Sequence, residues 1–282
     1  MELTRKRGSL RSCLSVDLRR AFGGFRFSLA VVVFMLIQFL CNHFMINLNT
    51  QDATVYGELY QLCFSDFQSL VPSICAWVYA LSVAQDIDSR YVRLILPKTT
   101  RRNYLISKGI VGMLTAFAVV AFGLLGGITL LSIWLPLTFP AGPISFSSLD
   151  FLNGSSLLLG RRYAVFLLLY IGVRGACAAV WVVCAMAVAV WSDDRFVALI
   201  SPLIFSYLLL ALQATLGKVT LFGITVETLA TKYDIRMMAV GGAYLSTPRE
   251  VITVWAAQYL PLLLLFGAFY IRGGVRRLKQ YA

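Results

Sequence analysis

Charged residues are scarce in this sequence of 282 residues: Asp, Glu, Lys and Arg make up 13% of it, whereas apolar residues make up 59%. A soluble globular domain is about a quarter charged and roughly half apolar. The composition therefore excludes an ordinary soluble domain and predicts an integral membrane protein. Membrane spans would consume almost the whole length, which leaves no room for a separate catalytic domain.

The sequence also lacks the motifs of common enzymes. It has neither an HExxH zinc motif nor a GxSxG nucleophile motif, and no GxxxxGK[ST] phosphate loop with which to hydrolyse ATP. The single histidine, His43, falls at the end of an apolar run, where an interfacial hydrogen bond is more usual than a ligand role. The adjacent acids Asp193 and Asp194 are typical of a solvated turn. We expect no catalytic residue, cofactor or metal in this chain.

The six cysteines do not have the spacing of a metal site. Cys75, Cys177 and Cys184 lie in apolar runs and are predicted to be small packing residues. Cys41 and Cys63 flank a polar segment, where either a disulfide or two free thiols would fit.

What the sequence does contain is a series of long apolar runs, which predict an all-α membrane protein with six transmembrane helices. The predicted spans are 28–46, 69–84, 105–135, 163–191, 196–216 and 251–271. Glycines in the third span predict close approach of neighbouring helices: Gly109, Gly112, Gly123, Gly126 and Gly127. The six spans contain no Asp or Glu, which argues against proton coupling and favours an external energy source.

Two further segments accompany the spans. Residues 1–27 are basic, and Leu10, Leu14, Leu18 and Phe22 recur at every fourth position, which predicts an interfacial helix on the membrane surface. Residues 217–250 are only moderately apolar, and both re-entrant helices and an ordinary extracellular loop fit them.

The positive charge is distributed unevenly between the predicted loops. Eighteen of the 25 Lys and Arg residues fall in the N-terminal segment, the 85–104 connector with Lys108, the turn after span four, and the C-terminal tail. The positive-inside rule therefore predicts that both termini and the connector are cytoplasmic. The same rule accounts for the net charge of +12 without a nucleic-acid partner.

The connector between spans two and three has the pattern of a short amphipathic helix. Its apolar positions follow the i, i+4, i+7, i+8 spacing of one helix face: Ile87, Tyr91, Leu94 and Ile95. The charged positions are predicted on the other face: Asp86, Asp88, Arg90 and Arg93. Pro97 ends the helix. Such a helix is either a passive segment bound to anionic lipid or a docking site for a cytosolic partner.

Arg174 is the one charged residue inside the fourth predicted span. A charge at this depth costs about 2.5–3.5 kcal/mol on insertion scales and usually faces a protein interior or a water-filled cavity. It is either a residue of a translocation path or packing switch, or a side chain that extends outward to the membrane surface.

The order of these segments resembles the permease subunits of ABC-2 type exporters. The most specific part is the connector, QDIDSRYVRLILPKTTRRNYLISKGIVG. Family members have an acidic residue, a short amphipathic helix, a proline or equivalent break, an Arg, and a Tyr–x–x–x–Lys element. The corresponding positions are Asp86 or Asp88, Leu94, Pro97, Arg101 or Arg102, Tyr104 and Lys108. Arg90 and Tyr91 depart from the pattern, since many members have a glycine there.

The resemblance implies a mechanism in which two permease copies or paralogues pair and each binds a cytosolic ABC ATPase subunit that carries ATP and Mg. The connector would be the coupling helix, with the coupling residues Asp86, Asp88, Tyr91, Leu94, Ile95, Arg101 and Arg102. The cargo would be a hydrophobic or amphipathic peptide, drug or lipid-like molecule, moved across a plasma membrane, in a bacterium the cytoplasmic membrane. The alternative is a non-transporting scaffold or receptor subunit that recruits a cytosolic partner through the same connector.

Overall fold

The computed structural model describes residues 10–45, 54–56, 70–97, 99–138, 154–192, 194–216 and 245–280. All regular secondary structure in these ranges is helical, as predicted. The helices are α1 (Leu10–Phe22), α2 (Phe25–Met45), α3 (Val71–Tyr79), α4 (Ser82–Asp88), α5 (Val92–Ile95), α6 (Arg101–Leu131), α7 (Ser155–Leu159), α8 (Tyr163–Trp191), α9 (Arg195–Leu216) and α10 (Pro248–Lys279).

Three of the described helices, α6, α8 and α10, are long and apolar enough to cross a membrane. Helices α1 and α2 meet at an angle of 54° at the intervening glycines. If the two helices form one span, that span is a fourth candidate. Over the described part of α9, the stretch Arg195–Leu209 is a shorter apolar helix. The protein is therefore helical with the features of a multi-pass membrane protein.

Helix α8 is the centre of the bundle and packs against α3, α6, α9 and α10. Nearly all of its side chains from Cys177 to Val190 are buried, and most of them are Ala, Val or Cys. Small side chains let four neighbouring helices approach one axis closely. Cys75, Cys177 and Cys184 are buried free thiols, as predicted.

The glycines of α6 allow close helix contacts, also as predicted. Gly123, Gly126 and Gly127 face α2, and a Cβ atom at any of them would lie within 3.0 Å of an α2 side chain. Gly112 faces α8, where a Cβ atom would lie 2.8 Å from the sulfur of Met186. The α2–α6 contact therefore depends on the absence of side chains along one face of α6.

We predict that Gly123→Ala lowers the free energy of unfolding by about 1–3 kcal/mol, because the new methyl group overlaps the fully buried Phe34 ring. Gly172→Ala is the matched control, since no atom lies within 4 Å of the Cβ position there. It should be neutral or stabilising by about 0.5–1 kcal/mol through helix propensity. Denaturant unfolding in detergent measures both, and equal values for the two variants would contradict close α2–α6 packing.

The four segments predicted to be cytoplasmic meet at one end of the bundle. The contacts that join them are Arg20 to Asp86, Arg195 to Asp88, and Arg277 to the carbonyl of Ser192. At the opposite end, the backbone N–H of Val55 donates to the carbonyl of Pro136 at 3.1 Å. Gly154 donates to the carbonyl of Leu245 at 2.7 Å at that same end.

The helix bounds differ from the predicted spans in several places. Span two is interrupted: α3 ends at Tyr79, and α4 continues beyond Ala84 to Asp88. Helix α6 begins at Arg101, where the Thr100 side chain accepts a hydrogen bond from the Asn103 N–H, and ends at Leu131 rather than Leu135. Helix α10 runs two turns past Ile271, so the predicted basic tail is helical.

The connector is not one continuous helix, which corrects the prediction from its periodicity. Helices α4 and α5 are separated by Ser89–Tyr91, where Arg90 has the left-handed backbone angle φ 58°. Glycine adopts this conformation most readily, and Arg90 is one of two described residues other than glycine that have a positive φ. The possible Cys41–Cys63 disulfide, the His43 side chain and most of 217–250 lie outside the part of the chain that the structure describes.

Candidate functional site

Beneath the connector, three helices bring together oppositely charged side chains that are buried. Asp17 of α1 is 7% exposed, and Asp86 of α4 and Lys108 of α6 are fully buried. The Lys108 ammonium lies 2.7 Å from Asp86 Oδ2 and 3.3 Å from Asp17 Oδ1. We call Asp17, Asp86, Lys108 and their hydrogen-bonding partners the buried charge cluster.

Three hydroxyl groups and the Arg20 guanidinium also donate hydrogen bonds to the two carboxylates. The Tyr79 hydroxyl donates to Asp17 Oδ1 at 2.8 Å, and the Ser107 hydroxyl donates to Asp17 Oδ2 at 2.7 Å. The Tyr104 hydroxyl donates to Asp86 Oδ2 at 2.7 Å. The Arg20 guanidinium, which is partly exposed, donates to Asp86 Oδ1 at 2.5 Å.

The cluster is balanced in charge, since Asp17 and Asp86 face Lys108 and Arg20. Burial alone would raise the pKa of Asp86, but the Lys108 ammonium and the hydrogen bonds from Tyr104 and Arg20 outweigh it and hold that pKa below its usual range. Asp86 is therefore ionised at neutral pH. The Lys108 ammonium also lies over the aromatic rings of Tyr79 and Tyr104, 5.2 and 5.5 Å from their centroids.

Buried ion pairs seldom add net stability, because apolar residues of similar volume often stabilise a fold as well or better. Removing one partner, however, leaves a buried charge without compensation. The cluster therefore fixes α1, α4 and α6 in one arrangement, since separating any of its charged members is costly. These ion pairs and hydrogen bonds connect the three helices, so that a displacement of one helix would also displace the others.

The helical periodicity predicts Asp86 on the charged face of the connector, opposite its apolar face. The structure buries it completely and corrects that placement. Lys108 was assigned to the basic group that leads into span three, and Asp17 was given no role. A Lys inside an apolar helix requires a counter-ion, and this requirement predicts that an acidic side chain lies near Lys108. It does not identify which acidic residue that is.

Part of the connector after Ser89 is accessible, although Val92 is buried. Leu94 is 66% exposed and Tyr91 is 37% exposed, whereas Ile95 is partly buried against the core. We call the segment Tyr91–Leu94, which includes exposed Arg93, the connector ridge. It lies directly after Arg90, whose backbone is left-handed, and the guanidinium carbon of Arg20 in the buried charge cluster lies 5.7 Å from the centroid of the Tyr91 ring.

Three other predicted coupling residues lie near the ridge in sequence. Asp88 is half exposed and forms an ion pair with Arg195, the first residue of α9. Arg101 is partly buried and Arg102 is exposed in the first turn of α6. Asp88 thus links the connector to the turn between α8 and α9, a contact that the sequence pattern did not predict.

A groove of about 200 Å³ separates α1 from the connector. Val16 and Cys13 of α1 form one wall, and Tyr91 and Ile95 form the other. The Cys13 thiol donates to the Thr99 hydroxyl at 3.5 Å across it. Asp17, Arg20 and Tyr104 also line the groove, so it gives access from the connector ridge to the buried charge cluster.

Arg174 lies in the interior of the bundle, remote from the connector in sequence. It is 4% exposed, and its Nη1 donates to the Tyr170 hydroxyl at 3.2 Å. Its guanidinium carbon lies 5.9 Å from the centroid of the Phe34 ring and 5.3 Å from that of Tyr170. The side chain therefore does not extend outward to the surface.

The described residues contain no group of three or more His, Cys, Asp or Glu side chains that could hold a metal ion. The chain matches no family model, no curated protein and no solved structure. The exposed connector ridge and the buried charge cluster beside it are the features from which a function can be proposed.

Proposed function

We propose that this chain is the permease subunit of an ABC-2 type exporter with six transmembrane helices and both termini in the cytoplasm. In this proposal α2, α3 with the start of α4 as far as Ala84, α6, α8, α9 and α10 contribute the spans, and α1 is the interfacial helix. A second permease copy or paralogue pairs with it in a plasma membrane, in a bacterium the cytoplasmic membrane. Arg174 faces the path of a hydrophobic or amphipathic cargo.

The observation that carries the proposal is the connector ridge, which is exposed and lies beside the buried charge cluster. Exposed Leu94 and Tyr91 beside Arg93 offer an apolar contact with adjacent positive charge. A cytosolic partner with an apolar groove and acidic residues at its edge would bind such a surface. The ABC ATPase subunit, which carries the ATP and Mg, is the partner that the resemblance implies.

The buried charge cluster supplies the transmission step. A partner that pushes the ridge also displaces α4, whose Asp86 is bonded to Lys108 of α6 and Arg20 of α1. Because breaking these pairs in a buried site is costly, the helices move together. Asp86 therefore acts in this proposal through Lys108 and Arg20 rather than by contact with the ATPase.

We predict that Leu94→Asp abolishes recovery of an ATPase that copurifies with the detergent-solubilised full-length protein. The variant places a carboxylate at the centre of the apolar contact and touches nothing in the interior. Ile133→Asp is the matched control, because Ile133 is also 66% exposed but lies at the opposite end of the bundle. The control should retain the ATPase, measured as ATP hydrolysis in the eluate.

Recovery of no ATPase by the unmodified protein, together with another cytosolic protein that Leu94→Asp loses, would favour the scaffold alternative. An ATPase retained by Leu94→Asp would reject the connector ridge as the main docking surface. Loss in both variants would indicate a general effect of a new surface charge and would also count against the assignment.

A further inference from the structure

A second surface feature lies at the same end of the bundle, on the last turns of α10. A groove of about 600 Å³, within the usual range of ligand sites, runs between α10 and the end of α8. Its cationic residues are Arg272, Arg276 and Lys279, and its apolar residues include Trp191, Phe269 and Val275. The buried charge cluster contributes no residue to it.

The wall formed by Trp191 is held in place by the backbone of α10. The indole Nε1–H donates to the carbonyl of Phe269 at 3.2 Å. The ring lies against Gly273, and a Cβ atom there would fall on the indole. Glycine at this position thus lets an exposed tryptophan lie flat beside α10 and shape the groove.

The three cations occupy one face of α10, because Arg272, Arg276 and Lys279 have the i, i+4, i+7 spacing. Towards the middle of the helix the same face is apolar and exposed. Leu265 and Phe269 continue that face before Arg272, and they are 51% and 52% exposed. The face therefore changes from apolar to cationic at Arg272. A phospholipid has the same order of groups, from its apolar acyl chains to its charged headgroup.

We propose that this groove is a binding site for one anionic phospholipid of the cytoplasmic leaflet. The acyl chains lie along Leu265 and Phe269, and the headgroup phosphate lies among Arg272, Arg276 and Lys279. Trp191 lies at the level of the interface, where tryptophan is enriched in membrane proteins. Basic pockets between transmembrane helices on this side bind anionic headgroups. The inference holds whether the chain is an exporter subunit or a scaffold.

Cations at the end of a helix also offset its dipole, and the test must separate that role from lipid binding. The probe is phosphatidylglycerol, added to the full-length protein in neutral detergent and quantified by native mass spectrometry. Phosphatidylcholine with the same acyl chains, and glycerol phosphate without chains, are the comparison ligands. We expect saturable binding of one phosphatidylglycerol per chain, with neither comparison ligand bound at the same concentrations.

The variant is Arg272→Gln with Arg276→Gln and Lys279→Gln. Each cation beside an anionic lipid contributes about fivefold, so the triple variant should bind phosphatidylglycerol roughly 100-fold more weakly. The matched control, Arg90→Gln with Arg93→Gln and Arg102→Gln, removes the same charge from exposed positions at the same end. It should bind as the unmodified protein does.

Equal weakening in the two triple variants would overturn the proposal in favour of a general charge effect. Equal binding of phosphatidylglycerol and phosphatidylcholine by the unmodified protein would overturn it without any variant. Binding of glycerol phosphate as tight as that of the lipid would show that the apolar face takes no part, which also contradicts the site proposed here.

Discussion

Lys108→Met should lower the free energy of unfolding by about 3–5 kcal/mol, the largest loss that we expect from a single substitution in this chain. The methionine fills a similar volume, so the loss does not come from a cavity. It comes from Asp17 and Asp86, which lie 3.3 and 2.7 Å from the ammonium and would have to remain buried without it. Denaturant unfolding of the purified protein in detergent measures the difference.

Arg102→Met is the control for this prediction, because Arg102 is an exposed cation on the same helix. It should change the free energy of unfolding by less than about 0.5 kcal/mol. A combined variant, Lys108→Met with Asp17→Asn and Asp86→Asn, should recover much of the loss, since no buried charge is then left uncompensated. A loss below about 1 kcal/mol for Lys108→Met alone would mean that the ammonium does not bridge the two carboxylates.

Hydropathy predicted the long helices well where polar residues bound an apolar run on both sides. The run 163–191 begins after Arg162 and ends before Ser192, and α8 has those bounds. Hydropathy failed at α6 and α10, where helices continue past the apolar run through basic residues. Arginine, lysine and leucine are good helix formers, and they continue α6 and α10 beyond the apolar runs even though Gly273 and Gly274 interrupt them.

The buried charge cluster could not be predicted because it depends on pairing across the chain. Periodicity identifies the face of a helix on which a residue lies, but not the partner that it meets. Asp17 and Lys108 are far apart in sequence, and Asp86 lies among charged residues that look equally exposed. Tertiary contacts bury Asp86. Arg90, whose backbone conformation is left-handed, lies between Asp86 and the connector ridge in the chain.

Charge counting was more informative about which segments meet. The basic segments that the positive-inside rule assigned to one side do lie at one end of the bundle, as the contacts Asp88–Arg195 and Arg277–Ser192 indicate. Several of these cations have acquired specific partners in addition to any interaction with lipid. Arg277 is the clearest case, because its guanidinium is directed at the end of another helix.

Arg277→Met should lower the free energy of unfolding by about 2–3 kcal/mol, the second largest loss expected here. Arg277 Nη1 donates to the carbonyls of Ala189, Val190 and Ser192 at 3.3, 3.1 and 3.3 Å, and so caps the C-terminus of α8. No further helical turn follows whose backbone N–H groups could donate to those carbonyls, and the helix dipole favours a cation there. Hydrogen exchange should become faster at Ser192 and at the start of α9.

Arg277→Lys keeps the positive charge without the planar guanidinium and should recover part of this loss. Arg249→Met, at an exposed position in the first turn of the same helix, should be neutral within about 0.5 kcal/mol. Because Arg277 and Lys108 share no partner among the described contacts, the losses in the double variant Lys108→Met with Arg277→Met should add to within about 0.5 kcal/mol. A larger coupling energy would mean that the α8 terminus and the buried charge cluster respond together, so that a partner on the connector ridge would reach α10 as well as α6.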